Sequence, residues 1–129
     1  MKILLDTQCW LWMHAQPKRL SRQTRELLQD PENDLFLSAA SSWEISLKYA
    51  LGKLPLPEPP LEYVLGRMET SGTVPLPIQH SHALHAGKLP LHHADPFDRL
   101  LIAQAQLEKL KILTADRQFK AYEVDLLPA

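Results

Sequence analysis

The stretch Asp95-Pro96-Phe97-Asp98-Arg99-Leu100-Leu101-Ile102-Ala103-Gln104-Ala105 places two carboxylates directly ahead of a long apolar helix pattern. Asp95 suits the N-cap, Pro96 suits the first helical position, and Asp98 then occupies the third. The pattern predicts a helix over residues 96–109. The two acids have two interpretations: both stabilise a helix start, where the helix dipole favours negative charge, or Asp98 belongs to a metal-binding cluster of acids. The choice depends on the acids elsewhere in the chain.

The composition indicates a folded chain with little net charge. The 129 residues are 45% hydrophobic and 22% charged, which predicts one domain over residues 1–129 with a substantial core. A net charge of −1 excludes a strong overall positive field, so a nucleic-acid site would depend on a local patch or on a metal ion. The single cysteine, Cys9, excludes an internal disulfide and a cysteine-rich zinc site.

The sequence predicts neither a membrane span nor export. No apolar run approaches the ~20 residues that cross a bilayer. The start of the chain, residues 1–6, lacks the longer apolar region of a signal peptide. A single cysteine is typical of a reducing compartment. We therefore expect a cytoplasmic protein.

Short apolar runs alternate with helical patterns along the whole chain. Runs without polar alternation indicate strands that are covered on both faces, as in a parallel sheet. Strands are predicted at residues 2–5, 35–37, 111–114 and 124–127, with a weaker strand at 73–76 that its proline assigns to a sheet edge. Helices are predicted at residues 11–13, 21–28, 41–52, 61–68, 79–86 and 96–109, with a helical turn at 118–122. This alternation predicts an α/β fold with a mainly parallel sheet.

Four acids fall where predicted strands end or predicted helices begin. Asp6 and Asp116 each directly follow a strand, whereas Glu44 and Asp98 each lie in the first turn of a helix. Because the carboxyl ends of parallel strands share one sheet edge, where ligands bind, we expect the four carboxylates to converge. Each acid alone also has a purely structural interpretation. Asp6 suits a helix cap and Asp116 an Asx-turn, and Glu44 completes a capping box with Ser41.

A cluster of carboxylates has a definite chemistry. The carboxylates repel one another, so protons or a cation must compensate their charge. Mg²⁺ and Mn²⁺ prefer oxygen ligands, lower the pKa of bound water and orient a phosphodiester for in-line attack. Other chemistries have less support, since the chain has no Walker A loop, no GxGxxG loop and no convincing Ser-His-Asp or Cys-His arrangement. A phosphatase with a second aspartate two residues after Asp6 is disfavoured by Gln8.

Four segments of the chain resemble the PIN-domain nucleases, and within them the VapC-type toxins of bacterial toxin–antitoxin pairs. In the family's order they are ILLDT at residues 3–7, SWEI at 42–45, HADPFDRLLIAQA at 93–105 and ILTAD at 112–116. The third segment is the most specific of the four. The resemblance implies a three-layer α/β/α domain that hydrolyses RNA phosphodiester bonds as a Mg²⁺- or Mn²⁺-dependent endoribonuclease and acts as a toxin.

The resemblance also implies a role for each of the four acids in catalysis. Asp6 and Asp98 are the main metal ligands that it implies. Glu44 binds the metal directly or through water, and Asp116 is a more peripheral ligand. Four further residues are implied as accessories of this site: Thr7, Asp95, Thr114 and Arg99. The sequence departs from the family at Gln8, where many relatives carry asparagine.

Two protein partners follow from the same resemblance: a second copy of the chain in a homodimer, and a cognate antitoxin that blocks the acid site. Trp10, Trp12 and Trp43 are candidates for the antitoxin groove, although large aromatic side chains more commonly lie in the core. A different class of function is a protein that keeps the fold without catalysis and acts in regulation through its partner. Retention of all four acids favours the enzyme.

Histidines and basic residues are the remaining polar features of the sequence. His80, His82 and His85 are predicted to lie on a solvated helix face, since the chain lacks the pattern of a histidine zinc site. His93, two residues before Asp95, is placed to approach the acids. Five basic residues near the acid-bearing segments either contact RNA phosphates or are ordinary surface charges: Lys48, Lys53, Arg99, Arg117 and Lys120.

Overall fold

The computed structural model covers residues 1–129 and contains one sheet of five parallel strands. The strands are β1 (Lys2–Leu5), β2 (Asp34–Ser38), β3 (Val74–Leu76), β4 (Lys111–Thr114) and β5 (Leu126–Pro128). The helices are α1 (Thr7–Ala15), α2 (Arg22–Gln29), α3 (Ala39–Ala50), α4 (Pro60–Ser71), α5 (His80–Lys88) and α6 (Pro96–Glu108), with 3-10 turns at Pro17–Arg19 and Arg117–Ala121. The predicted α/β fold is confirmed, and every strand pairing is parallel.

The strand order β3-β2-β1-β4-β5 places β1 at the centre of the sheet. Leu4 of β1 lies opposite Phe36 of β2 on one side and Ile112 of β4 on the other. The chain first moves outward from β1 to β3 and then crosses back to β4 and β5 on the opposite side. In open parallel sheets, ligands bind at the carboxyl ends of the strands where this order reverses. Here those strands are β1 and β4.

Alternate residues of β1 face two separate cores. Ile3 and Leu5 belong to one apolar cluster with Trp10 of α1 and Tyr63 of α4. Leu4 belongs to a second cluster, which it shares with α5 and α6. Because helices cover both faces of the sheet, its strands have continuous apolar sequences. The three-layer α/β/α sandwich implied by the resemblance is therefore confirmed.

Helix α3 begins earlier in the chain than predicted. Its first residue follows β2 directly, and Ser38 is both the last strand residue and the N-cap, because its hydroxyl oxygen accepts a hydrogen bond from the backbone of Ala40 at 3.0 Å. The capping box of Ser41 and Glu44 is therefore wrong. Ser41 is buried inside the helix, and Glu44 lies in the second turn. No loop separates β2 from α3, which the separate strand and helix patterns did not reveal.

The histidines of α5 also differ from the prediction. His82 is only 1% exposed: its Nδ1 accepts a hydrogen bond from the Gln79 backbone at 2.9 Å, and its Nε2 lies 2.8 Å from Glu108 of α6. His85 Nε2 lies 2.6 Å from the side chain of Gln106, also on α6. The predicted solvated face is wrong for these two residues, because α5 packs against α6 and their polar ends bridge the two helices.

The strand that contains a proline lies at the edge of the sheet, as predicted. β3 pairs only with β2, and Pro75 lies opposite Leu37. An edge position tolerates the missing amide of proline because one side of the strand needs no ladder bond. Strand β5 begins two residues later than predicted. None of the six helices combines the length and the apolar character needed to cross a bilayer.

We predict that Leu4→Ala lowers the free energy of unfolding by about 2–5 kcal/mol, because it leaves a cavity beside the central strand. Leu4 is fully buried, whereas Leu61 on α4 is 70% exposed. The matched Leu61→Ala variant should change the free energy of unfolding by less than about 0.5 kcal/mol. Urea unfolding followed by circular dichroism measures both values. An equal decrease in the free energy of unfolding of the two variants would contradict the central position of β1.

Candidate functional site

A cleft of about 560 Å³ opens at the carboxyl ends of β1 and β4. Its lining includes five acids: Asp6, Glu44, Asp95, Asp98 and Asp116. The sequence predicts four of these acids at one sheet edge, and the structure places all four in this cleft with Asp95 beside them. Each acid comes from a different part of the fold: Asp6 follows β1, Glu44 lies on α3, Asp95 and Asp98 are at the start of α6, and Asp116 follows β4. The cleft is therefore assembled by the fold as a whole.

Asp6 directly follows β1 and is the N-cap of α1. Its Oδ1 accepts a hydrogen bond from the Cys9 backbone at 2.7 Å, and its Oδ2 accepts one from the hydroxyl of Thr114 at the end of β4. Burial raises the pKa of Asp6, although the bonds from Thr114 and Cys9 oppose this rise. These bonds fix the orientation of both carboxylate oxygens, and a nearby cation would stabilise the ionised form of Asp6.

The two predicted accessory threonines occupy different positions. Thr114 links two acids, since its hydroxyl donates to Asp6 and its oxygen accepts a hydrogen bond from the Asp116 backbone at 3.0 Å. Thr7 lines the cleft, but its hydroxyl donates to Ser41 of α3 at 2.8 Å. Thr7 therefore joins α1 to α3 beside the acids and makes no hydrogen bond to any of them.

Glu44 is the acid whose surroundings leave an oxygen without a partner. Its side chain is 8% exposed, and Oε2 accepts a hydrogen bond from Lys48 one helical turn later. This bond raises the pKa of Lys48 and keeps the ammonium charged beside the acids. Oε1 is buried and has no hydrogen-bond partner in the protein. Leaving a buried acceptor unpaired costs on the order of 1–3 kcal/mol, so this oxygen is available as a ligand atom for a cation.

The start of α6 carries two partly buried acids, Asp95 at the N-cap and Asp98 in the first turn. Asp95 accepts hydrogen bonds from the backbones of Phe97 at 2.8 Å and Asp98 at 3.2 Å, which confirms the predicted N-cap. Burial and the charges of Asp95 and Glu44 together raise the pKa of Asp98 to about 7, although His93 opposes the rise. Near neutral pH, Asp98 is therefore poised to exchange its proton for a cation.

His93 connects Asp98 to Asp116. Its Nε2 lies 2.9 Å from Oδ2 of Asp98 and 3.2 Å from Oδ2 of Asp116, and the three ligand atoms lie within 4.8 Å of one another. Asp116 also accepts a hydrogen bond from the Gln118 backbone at 2.9 Å, as its Asx-turn interpretation requires. The structural and the clustered interpretations of Asp116 therefore coexist. The sequence signal for His93 was only its position two residues before Asp95.

Arg99 does not join the acids, and the accessory position predicted for it is wrong. Its guanidinium donates hydrogen bonds to the carbonyl oxygens of Ala86 at 2.8 Å, Leu89 at 3.0 Å and Pro90 at 3.0 Å. These carbonyls lie at and just beyond the C-terminal end of α5, where helical carbonyls lack intrahelical partners and carry partial negative charge. Arg99 therefore anchors the connection between α5 and α6.

Basic residues flank the acids on two sides. Lys48 and Lys53 line the acid cleft. Arg117 and Lys120 line an adjoining cavity of about 500 Å³, which shares Asp116 with the cleft. Lys53, Arg117 and Lys120 form no ion pair, so their charges are available to a ligand. Of the five basic residues that the sequence singles out, four lie in or beside the site.

The donor set fits a divalent cation of the Mg²⁺ or Mn²⁺ class. The acids offer carboxylate oxygens, which are the hard ligands that these ions prefer. The unpaired Oε1 of Glu44 and the raised pKa of Asp98 are both unfavourable features that a cation would relieve. A thiolate site is disfavoured, because burial raises the pKa of Cys9 and the side chain is fully enclosed.

Comparison with known sequences identifies a family and two relatives. A family model described as the PIN domain matches residues 3–125. The chain is 52% identical to "Ribonuclease VapC16" of Mycobacterium tuberculosis over 63 residues, which is about half of each protein (49% of this chain and 45% of the relative). It is 29% identical to "Ribonuclease VapC22" of the same organism over 121 residues, which cover 93% of this chain and 91% of the relative.

Solved structures with the same fold include toxin–antitoxin complexes. VapBC2 from Rickettsia felis, bound to a DNA fragment from its promoter, matches with a TM-score of 0.70 at 16% identity, covering 99% of this chain and 98% of that chain. FitAcB from Neisseria gonorrhoeae matches with a TM-score of 0.64 at 24% identity, covering 97% and 96%. At these identities the likeness establishes a common fold.

We predict that Asp98→Asn raises the free energy of unfolding of the metal-free protein at pH 8 by on the order of 1–3 kcal/mol. The folded-state pKa of about 7 lies above the ordinary 3.8, so the cost to folding begins near pH 4, grows as the pH rises and is fully present above about pH 7. The gain should therefore be smaller at pH 5 than at pH 8.

Urea unfolding in the presence of a chelator measures this difference. The exposed Asp125 supplies the matched control, and Asp125→Asn should leave the free energy of unfolding within about 0.5 kcal/mol of the unmodified value at both pH values. A loss of stability in Asp98→Asn at pH 8 would contradict the strained, partly protonated state of this carboxyl group.

Proposed function

The chain belongs to the PIN-domain family, and on that premise we propose that it is a Mg²⁺- or Mn²⁺-dependent endoribonuclease acting as the toxin of a toxin–antitoxin pair. The observation that carries the proposal is the single cleft shared by Asp6, Glu44, Asp98 and Asp116. Two relatives named ribonucleases support RNA as the substrate. We propose a single nuclease domain over residues 1–129 that acts in the cytoplasm.

Asp6, Glu44 and Asp98 are the proposed direct ligands of the cation. Asp6 is oriented by Thr114, and Glu44 has the unpaired Oε1. Asp116 is the proposed peripheral ligand, because its side chain is 37% exposed, against 17% for that of Asp98. A bound cation would supply an activated water at neutral pH and stabilise negative charge on the phosphodiester.

The remaining residues of the cleft prepare it for this chemistry. Lys48 compensates part of the negative charge next to Glu44, which reduces repulsion of an incoming phosphate. Asp98 loses its proton when a cation replaces it, so cation affinity is expected to increase from pH 6 to pH 8. The bond between Thr114 and Asp6 and the cap by Asp95 hold their elements before any ligand arrives.

The proposed path of the RNA backbone crosses the acids between two groups of cations. Lys53 lines the cleft on the side of α3, and Arg117 and Lys120 line the cavity beyond Asp116. Unpaired basic side chains on both sides of a cleavage site hold the phosphates that flank the scissile bond. A single-stranded RNA loop suits this open surface, because its unstacked bases and backbone are accessible.

The proposed protein partners are a cognate antitoxin and a second copy of the chain. Of the three candidate tryptophans, Trp10 is fully buried and Trp12 is partly buried against the same core, so only Trp43, 60% exposed, is available to a partner. The solved relatives include complexes named VapBC and FitAB, which supports the antitoxin.

Exposed apolar side chains on two adjacent helices further support a protein partner. Trp43 and Leu47 lie one turn apart on α3 and Leu51 directly follows that helix, while Leu61 and Leu65 lie one turn apart on α4. Single exposed apolar residues are common on protein surfaces, but stripes of them typically mark protein interfaces.

We predict that Asp6→Asn and Asp98→Asn each lower the rate of RNA cleavage by more than about 100-fold, because each removes charge that the transition state requires. The assay incubates the purified protein with total cellular RNA in Mg²⁺ or Mn²⁺, beside a chelator control. Asp125→Asn, an exposed acid outside the cleft, should retain the unmodified rate.

Two outcomes of this assay contradict the enzyme. One is full activity in both cleft variants. The other is no cleavage by the folded, metal-loaded protein free of its partner, which would favour a regulatory protein that keeps the fold without catalysis.

We predict that the double variant Arg117→Gln, Lys120→Gln weakens RNA binding and makes it less sensitive to salt. Each lost phosphate contact should reduce the slope of log K against log salt concentration by about 0.7 for a single strand. Fluorescence anisotropy with a labelled RNA, in the Asp6→Asn background, measures the slope. Lys18→Gln, an exposed cation in the 3-10 turn after α1, is the matched control. An unchanged slope in the double variant would exclude these residues from the RNA path.

A further inference from the structure

We infer that His93 is a positioning residue of this site: its imidazole N–H holds the carboxylates of Asp98 and Asp116 together in the arrangement that receives the cation. This inference rests on the proposed metal-dependent function. It assigns a role to the histidine that clusters with Asp98 and Asp116, beyond the metal-ligand roles proposed for the acids.

The hydrogen bonds of His93 determine which ring nitrogen carries the proton. Nδ1 accepts a hydrogen bond from the Asp95 backbone N–H at 3.3 Å, so the proton of the neutral ring is on Nε2. Nε2 therefore donates a hydrogen bond to Oδ2 of Asp116 at 3.2 Å, and the same nitrogen lies 2.9 Å from Oδ2 of Asp98, within ion-pair distance. A metal bond from Nε2 would need the proton on Nδ1, where it would face the Asp95 N–H. The geometry thus favours a hydrogen-bond donor over a metal ligand.

The imidazole is held in place by contacts around it. Its ring meets Phe119 edge-on, with centroids 5.8 Å apart and an interplanar angle of 88°. Its backbone N–H donates to the hydroxyl of Tyr122 at 2.8 Å, and that hydroxyl donates to the Pro90 carbonyl at 2.7 Å. Its carbonyl accepts a hydrogen bond from Arg99 at 3.4 Å. With its side chain 7% exposed, His93 has little freedom to turn away from the acids.

Like charge is the reason that the two carboxylates need this donor. Asp98 begins α6 and Asp116 follows β4, so no shared backbone element fixes their separation. Two ionised carboxylates brought within a few ångströms repel each other. The N–H of His93 lies between them and attracts both. Residues that orient metal-binding carboxylates or histidines in this way typically contribute 10–100-fold to metal affinity, without contacting the metal themselves.

The test compares the unmodified protein with its His93→Leu and His93→Gln variants. Titration calorimetry with MgCl₂ and separately with MnCl₂ gives the metal affinities, and thermal unfolding in a chelator reports the metal-free fold. We expect His93→Leu to lower the affinity of the protein for both ions by about 10–100-fold. His93→Gln carries an amide N–H with similar reach and should recover most of this affinity. In cleavage assays, kcat at a fixed metal concentration should fall in His93→Leu with the KM for RNA nearly unchanged.

His92→Leu is the matched control, since His92 is the adjacent histidine and is exposed. Its metal affinities should equal those of the unmodified protein. Unchanged affinities in His93→Leu would overturn the inference, and so would equal losses in His93→Leu and His93→Gln. A loss confined to Mn²⁺ would also overturn it, because imidazole as a ligand favours Mn²⁺ over Mg²⁺. If the unmodified protein binds neither ion, the proposed function itself fails, which distinguishes that result from failure of the role of His93.

Discussion

The parallel pairing of β1 with β4 is the interaction on which the site depends. It brings together strand ends that lie more than a hundred residues apart in the chain, and the backbone N–H of Asp6 continues the pairing with a 3.1 Å bond to the Leu113 carbonyl. The hydroxyl of Thr114 then bonds directly to Asp6. Because β1 is enclosed by neighbours on both sides and by a core on both faces, this junction cannot shift without disrupting the centre of the fold.

The site places this stable frame under local electrostatic stress. Burial and neighbouring negative charge raise the pKa values of Asp6 and Asp98, and one oxygen of Glu44 lacks a partner. A protein selected only for stability would remove such groups, since unpaired buried acids oppose folding. Here the stress is balanced by fixed donors: Thr114, Lys48 and His93 each bond one or two of the acids. The cleft is thereby held in a form complementary to positive charge.

The sequence predicted the sheet and the acids well because both have strong local signals. Apolar runs without alternation revealed the buried strands, and acids at their ends revealed one edge of the sheet. Sequence patterns were weaker wherever a side chain acts across elements. The sequence pattern predicts a solvated helix position for His82, but the side chain is buried between α5 and α6. The sequence also places Arg99 near the acids, but its guanidinium donates hydrogen bonds to carbonyls at the end of α5. The partner of a long polar side chain is set by packing, which a single segment does not encode.

The direct passage from β2 into α3 also constrains how the chain length can vary. Ser38 is both the last residue of the strand and the N-cap of the helix, so the number of residues between the sheet edge and Glu44 is fixed. One inserted or deleted residue between them would rotate Glu44 by about 100° around the helix and turn its carboxylate out of the cleft. Within the connection between α3 and α4, Lys53 and Leu54 line the cleft and Leu56 packs against the core, so only the residues after Leu56 can be gained or lost at little cost. Divergence in length should therefore accumulate just before α4 rather than between β2 and Glu44.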